Sequence, residues 1–225
     1  MTATHYAIAV LGGTGSEGSG LVLGWARAGH RVIIGSRRPE KAAKICAELN
    51  ALAGVESIAF MDNRSAARAA QIVVLTVPFG AQRATVEEVR DALVGKILVD
   101  ATVPLLPPKV SRVQLPPGGS AVAAIQELLG DSVRVVSAFQ NVSALHLKDL
   151  SHNIDCDVLV CGNNADARET VIGLARDIRL RGYHAGTIAN SAAAEALTSV
   201  LIAINARYKV PGAGIRITGV PEAAS

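Results

Sequence analysis

Three glycines carry the clearest chemical signal in this chain. The run Leu11-Gly-Gly-Thr-Gly-Ser-Glu-Gly18 sets Gly13, Gly15 and Gly18 in the spacing G-x-G-x-x-G, with Thr14, Ser16 and Glu17 between them. Such a loop can hold a pyrophosphate. Its first glycine permits a tight turn, its second lets the backbone approach the phosphates, and its third lets a helix pack close to a strand. A helix starting there points unpaired N–H donors and a positive dipole end at the anion. Further on, where a site for an unphosphorylated ribose carries an acid, the chain reads Gly35-Ser-Arg-Arg38, with Lys41 one turn later. Ser36, Arg37, Arg38 and Lys41 suit a dianionic 2′-phosphate, because a guanidinium can grip phosphate with two parallel hydrogen bonds and an Asp would repel it. The pattern selects NADP(H) over NAD. A third segment, Thr76-Val77-Pro78, ends an apolar run at which the proline stops the strand and turns the chain beside the cofactor.

These segments must be positioned by a regular frame, and the chain supplies one. Tyr6–Leu11, Arg31–Ile34, Ser57–Phe60, Ile72–Val77, Lys96–Asp100 and Val133–Ala138 read as short apolar strands. Helical stretches separate the first strands, over Gly18–Ala28, from Pro39 to about Leu52, and from Ala84 to Leu93. This alternation predicts an α/β fold, a Rossmann-type doubly wound parallel sheet. Residues 1–138 then form the dinucleotide-binding domain, and residues 139–225 a small C-terminal α/β unit that closes the cleft. That unit has strands expected at Val158–Cys161 and Tyr183–Ile188, then a helix over Ala192–Tyr208 with Leu197, Leu201, Ile204 and Tyr208 on one face. Five prolines and Gly118-Gly119 break the rhythm between Pro104 and Ser120, as in a lid or a surface loop.

Composition excludes several classes. Half of the residues are apolar and only 3% are aromatic, so the core is aliphatic, as strands buried on both faces require. A net charge of +3 with scattered Lys and Arg gives no basic stripe for nucleic acid. Cys46, Cys156 and Cys161 make neither a metal spacing nor a C-x-x-C pair, and they read as reduced thiols in the cytoplasm. Met1–Tyr6 has no signal-peptide pattern, and the most apolar stretch, Ala192–Ile204, contains Glu195, so no membrane span is expected. The apolar Ala192–Tyr208 helix suggests a homodimer.

No acid–base team emerges. His30, His146, His152 and His184 lack partners at an identifying spacing, no Tyr-x-x-x-Lys pair is present, and a lone Asp100 at a strand end can equally cap a turn. A carbonyl or imine gains a proton as well as a hydride, so its reductase normally places a donor at the reacting atom. The residues therefore favour an acceptor that takes hydride directly, as a flavin-like ring does. Reduction of an imine, a ketone or an ordinary flavin stays open, as does a nucleotide-binding module without turnover.

Taken in order, Leu11–Gly15, Gly35–Arg38 with Lys41, Thr76–Pro78, Val158–Gly162 and the tail around Gly214-Ile-Arg216 resemble the NADPH-dependent reductases of coenzyme F420 over almost the whole chain. That resemblance implies hydride transfer directly between NADPH and the deazaflavin F420, with no dedicated acid or base. It implies Thr14, Ser16 and Glu17 at the pyrophosphate, and Ser36, Arg37, Arg38 and Lys41 at the 2′-phosphate. Val77 and Ala144 would flank the nicotinamide, and Gln140, Asn141, Val142 and Ser143 would face the second ring. Gln140 stands where the family carries His; an amide still donates a hydrogen bond but does not titrate near neutral pH.

Overall fold

The computed structural model describes residues 4–149 and 154–220. His152 lies outside them. Strand β1 (Ala7–Leu11) leads through the glycine loop into helix α1 (Ser16–Arg27), then β2 (Arg31–Gly35), α2 (Pro39–Ala53), β3 (Ile58–Met61), α3 (Asn63–Ala69), β4 (Ile72–Leu75), α4 (Phe79–Leu93) and β5 (Ile97–Asp100). A long connection precedes α5 (Ala121–Leu129) and β6 (Arg134–Ser137), followed by α6 (Ala144–Lys148), β7 (Asp157–Gly162), α7 (Ala165–Asp177), β8 (Arg181–His184) and α8 (Ser191–Tyr208).

The strands form one eight-stranded sheet in the order β3-β2-β1-β4-β5-β6-β7-β8. Every neighbouring pair is parallel except β6 and β7. This is the doubly wound frame. The order reverses between β1 and β4, and ligands bind in the crevice that such a reversal opens at the carboxyl ends of the strands. Register aligns those ends: Leu11 pairs with Gly35 on one side and with Leu75 on the other, so the loops after β1, β2 and β4 leave the sheet together.

Alternate strand residues feed two cores, one on each face. Val10, Ile34, Val74 and Val99 pack under α1, α2 and α7, while Leu11, Ile33, Leu75 and Leu98 pack under α3, α4 and α5. A Leu or Ile side chain buried this way stabilises the fold by roughly 1.5–3 kcal/mol. Pro39 starts α2 with its φ already set, and Gly54 ends that helix in the left-handed conformation.

The structure adds α3, α5, α6 and α7, and starts α4 at Phe79 rather than Ala84. The expected strand at Tyr183–Ile188 is instead β8 ending at His184, a left-handed Gly186 and a short 3-10 turn at Ile188–Asn190. The Asn190 side chain donates to the Ala185 carbonyl and closes that turn. Helix α8 also departs from the expected stripe. Ala194, Glu195, Ser199 and Leu201 are buried, but Ile204 and Tyr208 are 36% and 72% exposed. Residues 104–120 carry neither helix nor strand, and Ser120 closes them by capping α5.

Candidate functional site: a nucleotide cleft at the sheet reversal

Gly12, with φ +89°, turns the chain out of β1, where any Cβ would stand 2.8 Å from the Thr76 carbonyl. The backbone then closes on itself, the Gly15 N–H donating to the Gly12 carbonyl at 2.8 Å, and α1 begins at Ser16. Gly13 packs on Ile34, and Gly18 packs on Thr76 and Gly12. Gly15 faces the other way: a Cβ there would meet only the Gly12 carbonyl, at 3.3 Å. The loop thus presents bare backbone and a helix N-terminus to open space, the arrangement that accepts a pyrophosphate.

A cavity of about 540 Å³ brings three sequence segments together: Gly12, Thr14 and Gly15; Gly35–Arg38 with Lys41; and Thr76–Pro78. Arg37, Arg38 and Lys41 are exposed at its rim, and among the described residues none of them pairs with a carboxylate. Ser36 accepts a hydrogen bond from the Arg38 N–H at 3.1 Å, which shapes the turn that presents them. Asn63, Ala81 and Thr85 complete the lining. These three escape sequence reasoning because they sit on α3 and the first turns of α4. Ser16 is exposed beside the loop, and neither Ser16 nor Glu17 lines this cavity.

The segment after β6 crosses the same end of the sheet. Phe139 is fully buried with φ 75°, an unusual conformation for a bulky residue, and it stacks edge-on to Trp25 at 5.8 Å. That turn drives Gln140 and Asn141 inward. The Gln140 amide nitrogen donates to the Asp100 carbonyl at 2.7 Å and to the Ser137 hydroxyl at 2.9 Å. The Asn141 amide nitrogen donates to the Asp157 carbonyl at 2.6 Å. Each amide leaves its side-chain oxygen buried without a partner, as do Glu17 and Thr102. Val142 is buried, Ser143 is half-buried, and Ala144 opens α6.

Two carboxyls at this end were not legible as a pair. Burial pushes Glu17 up to about 8, and the negative charge of Asp100 adds to the shift. Asp100 is itself raised by burial, although it accepts hydrogen bonds from the Thr102 N–H and from the Gln82 amide at 2.6 Å. The signal available in the sequence was an acid on the first turn of α1, three residues after Thr14; its environment was not.

The remaining polar clusters hold the frame. Buried Glu195 accepts from the Ser120 hydroxyl and from the Ala121 and Val122 N–H groups, fastening α8 to the start of α5. Buried Asp157 accepts from Arg181 and from the Ile217 N–H, fixing the C-terminal tail to β7. His30 accepts from the Tyr6 N–H and pairs with Asp177, and His184 pairs with Glu169. A second cavity, of about 410 Å³, lies between Ser143, His146 and Cys156 on one side and Pro211–Gly214 on the other. The stretch Ile188–Tyr208 has a length and mean hydropathy compatible with a membrane span, yet it contains the hydrogen-bonded Glu195.

Strand order, glycine loop and basic turn together define a dinucleotide-binding α/β oxidoreductase. Residues 7–104 match the family described as NADP oxidoreductase, coenzyme F420-dependent. The chain is 42% identical to the F420-dependent NADP reductase of Methanocaldococcus jannaschii, covering 95% of this chain and 98% of that protein. It is also 42% identical to the F420-dependent NADP reductase of Methanothermobacter thermautotrophicus, covering 96% of each. A crystal structure of a candidate F420-dependent NADP-reductase from Arthrobacter sp. FB24 superposes with a TM-score of 0.80 at 25% identity, over 95% of this chain and 99% of that one. The chain belongs to the F420-dependent NADP reductase family.

Proposed function

We infer that this protein transfers hydride directly between NADP(H) and the deazaflavin F420. The observation that carries the reading is the single cavity that unites the glycine loop, the Ser36–Lys41 turn and Thr76–Pro78 in a member of this family. The glycine loop suits the pyrophosphate, with Gly13, Gly15 and Gly18 shaping it and Thr14, Ser16 and Glu17 at its rim. Ser36, Arg37, Arg38 and Lys41 hold the 2′-phosphate. Thr76, Val77, Pro78 and Ala144 flank the nicotinamide half, and Gln140, Asn141, Val142 and Ser143 form the wall toward the deazaflavin.

When bound, NADPH supplies the hydride. The chain contributes position: a donor–acceptor approach of about 3–3.5 Å and exclusion of water supply most of what such a transfer needs. Residues 1–138 serve as the nucleotide-binding part, and residues 139–225 as the part that closes the cleft. The protein acts in the cytoplasm as a homodimer. The support for a dimer is the exposed apolar set Val200, Ile204, Tyr208 and Val210 at the outer end of α8, and sedimentation at the 23.2 kDa chain mass contradicts it. Turnover of NADPH with F420 as sole acceptor tests the main reading.

A further inference from the structure

We propose that Asn63 reads the base of the bound dinucleotide: its side-chain oxygen accepts a hydrogen bond from the 6-amino group of adenine, and Glu88 fixes the amide in the orientation this requires. This rests on the functional reading above and concerns the adenosine half of the same cleft.

The cavity places the residue. Asn63 lines the space of about 540 Å³ together with Gly35, Ser36, Ala81 and Thr85, although only 5% of it is exposed. Its Oδ1 stands 3.1 Å from where a Cβ on Gly35 would be. The side chain therefore reaches from the start of α3 to the last residue of β2, one residue before the basic turn.

Hydrogen bonding decides which of its atoms faces the cavity. The Asn63 amide nitrogen donates to Glu88 Oε2 at 3.1 Å. A carboxylate only accepts, so turning the amide about would lose that bond and set two oxygens against each other. Glu88 is anchored in turn, because the Arg64 guanidinium donates to its backbone carbonyl at 3.2 and 3.0 Å and ties α3 to α4. Asn63 Oδ1 has no partner among the described residues, and unlike the oxygens of Gln140 and Asn141 it is not sealed from solvent. The cleft thus presents one fixed, neutral acceptor here.

Ligand chemistry then selects the group it meets. Charged phosphates offer acceptor oxygens, so Asn63 Oδ1 binds neither the pyrophosphate nor the 2′-phosphate. With its 2′-oxygen esterified, the adenosine half of NADP(H) has two donors, the ribose 3′-hydroxyl and the 6-amino group. The sheet order separates them. The glycine loop follows β1, the basic turn follows β2, and Asn63 follows β3, which lies outermost. A nucleotide with its pyrophosphate at the first and its 2′-phosphate at the second turns its 3′-hydroxyl back toward β1, on the side of its 5′-carbon. Its base extends outward, toward β3. Ala81 and Thr85 close this slot from α4, and the Thr85 hydroxyl already donates to the Ala81 carbonyl at 2.8 Å, which leaves Asn63 as the polar group of that wall.

The test compares NADP⁺ with nicotinamide hypoxanthine dinucleotide phosphate, in which a carbonyl replaces the amino group, by calorimetric titration of the intact protein. The analogue's ring N–H sits at the neighbouring position, so it does not replace the missing donor without displacing the phosphates. The parent protein should bind NADP⁺ about tenfold more tightly or better, because the analogue sets its oxygen against an acceptor left unpaired. N63L should weaken NADP⁺ and bring the ratio of the two affinities near one. E88L keeps Asn63 but frees its amide to turn and offer N–H to the hypoxanthine carbonyl, so the ratio should fall to one or reverse. A merely structural role for either residue weakens both nucleotides by the same factor and leaves the ratio unchanged. If N63L does not fold, E88L alone decides. Equal affinities in the parent, or an unchanged ratio in N63L or E88L, overturn the proposal while leaving the functional reading intact. If neither nucleotide binds the parent, both fall.

Discussion

Gly18 and Thr76 stand so close that a Cβ on Gly18 would lie 2.5 Å from the Thr76 hydroxyl oxygen, and 2.8 Å from the Gly12 carbonyl. A Cβ on Gly15, three residues earlier, meets one atom at 3.3 Å. The two glycines of one motif therefore have different duties. Gly18 joins α1 to the sheet, and Gly15 leaves the mouth of the loop open, where a phosphate is expected. Gly18→Ala should destabilise the protein by about 1–3 kcal/mol, as overpacking does. Gly15→Val should leave the melting temperature within a few degrees yet abolish NADPH binding. Thermal unfolding and nucleotide titration of both variants check this, and a normal NADPH affinity in Gly15→Val contradicts the assignment.

The basic turn is expected to set cofactor choice. Arg37 is exposed at the cavity rim, and a charge-assisted hydrogen bond contributes about 1.5–3 kcal/mol. Arg37→Asp should weaken NADPH by roughly ten- to a hundredfold, since 1.4 kcal/mol is tenfold, and spare NADH or improve it. Dissociation constants for both cofactors measure the outcome; equal values in the parent protein contradict it.

The histidines are expected to divide into structural and dispensable. His30 is buried with both ring nitrogens engaged. His30→Ala should cost about 1–3 kcal/mol of stability with little effect on turnover. Alanine at His146, His152 or His184 should leave turnover within about tenfold, or 1.4 kcal/mol of barrier. Steady-state rates of the three variants decide, and loss of turnover in any of them points to an acid–base mechanism.

Glu17 makes stability depend on pH. Its folded value of about 8 lies above the ordinary carboxyl value of 4.5, so between those pH values the folded state holds a proton that the unfolded state has lost. Stability then falls as pH rises through that window and levels off above it. Asp100, also raised, acts in the same direction. Glu17→Gln should flatten the decline. Melting temperatures from pH 5 to pH 9 give the comparison, and parallel curves for parent and variant contradict the burial argument.

The frame and the grouping of these loops around one cavity were legible because they rest on local signals. Apolar runs ending in glycine mark β1 and β2, and Gly15, Ser36 and Arg37 need only follow those strands. The missing pieces were weak locally or depended on distant chain. Helix α3 is short and alanine-rich, with no apolar stripe to mark it. Helix α7 had a usable signal, Asn164 capping the Ala167 N–H ahead of Val171, Leu174 and Ala175, which sequence reasoning passed over. The inward turn at Gln140 requires the left-handed Phe139, a conformation no residue type announces. The upward shift of Glu17 owes its second cause to the charge of Asp100, which belongs to a strand more than eighty residues further along the chain.

Direct transfer is the central claim, and isotope tracing tests it most directly. NADPH carrying deuterium at the transferable position of its nicotinamide ring is mixed with oxidised F420 and the protein, and the deazaflavin is examined by mass spectrometry. The account predicts reduction of F420 with the deuterium retained on its ring, because no exchangeable group intervenes between the two carbons. An inert F420 alongside a readily reduced cyclic imine or ketone would contradict it, as would deuterium appearing in water.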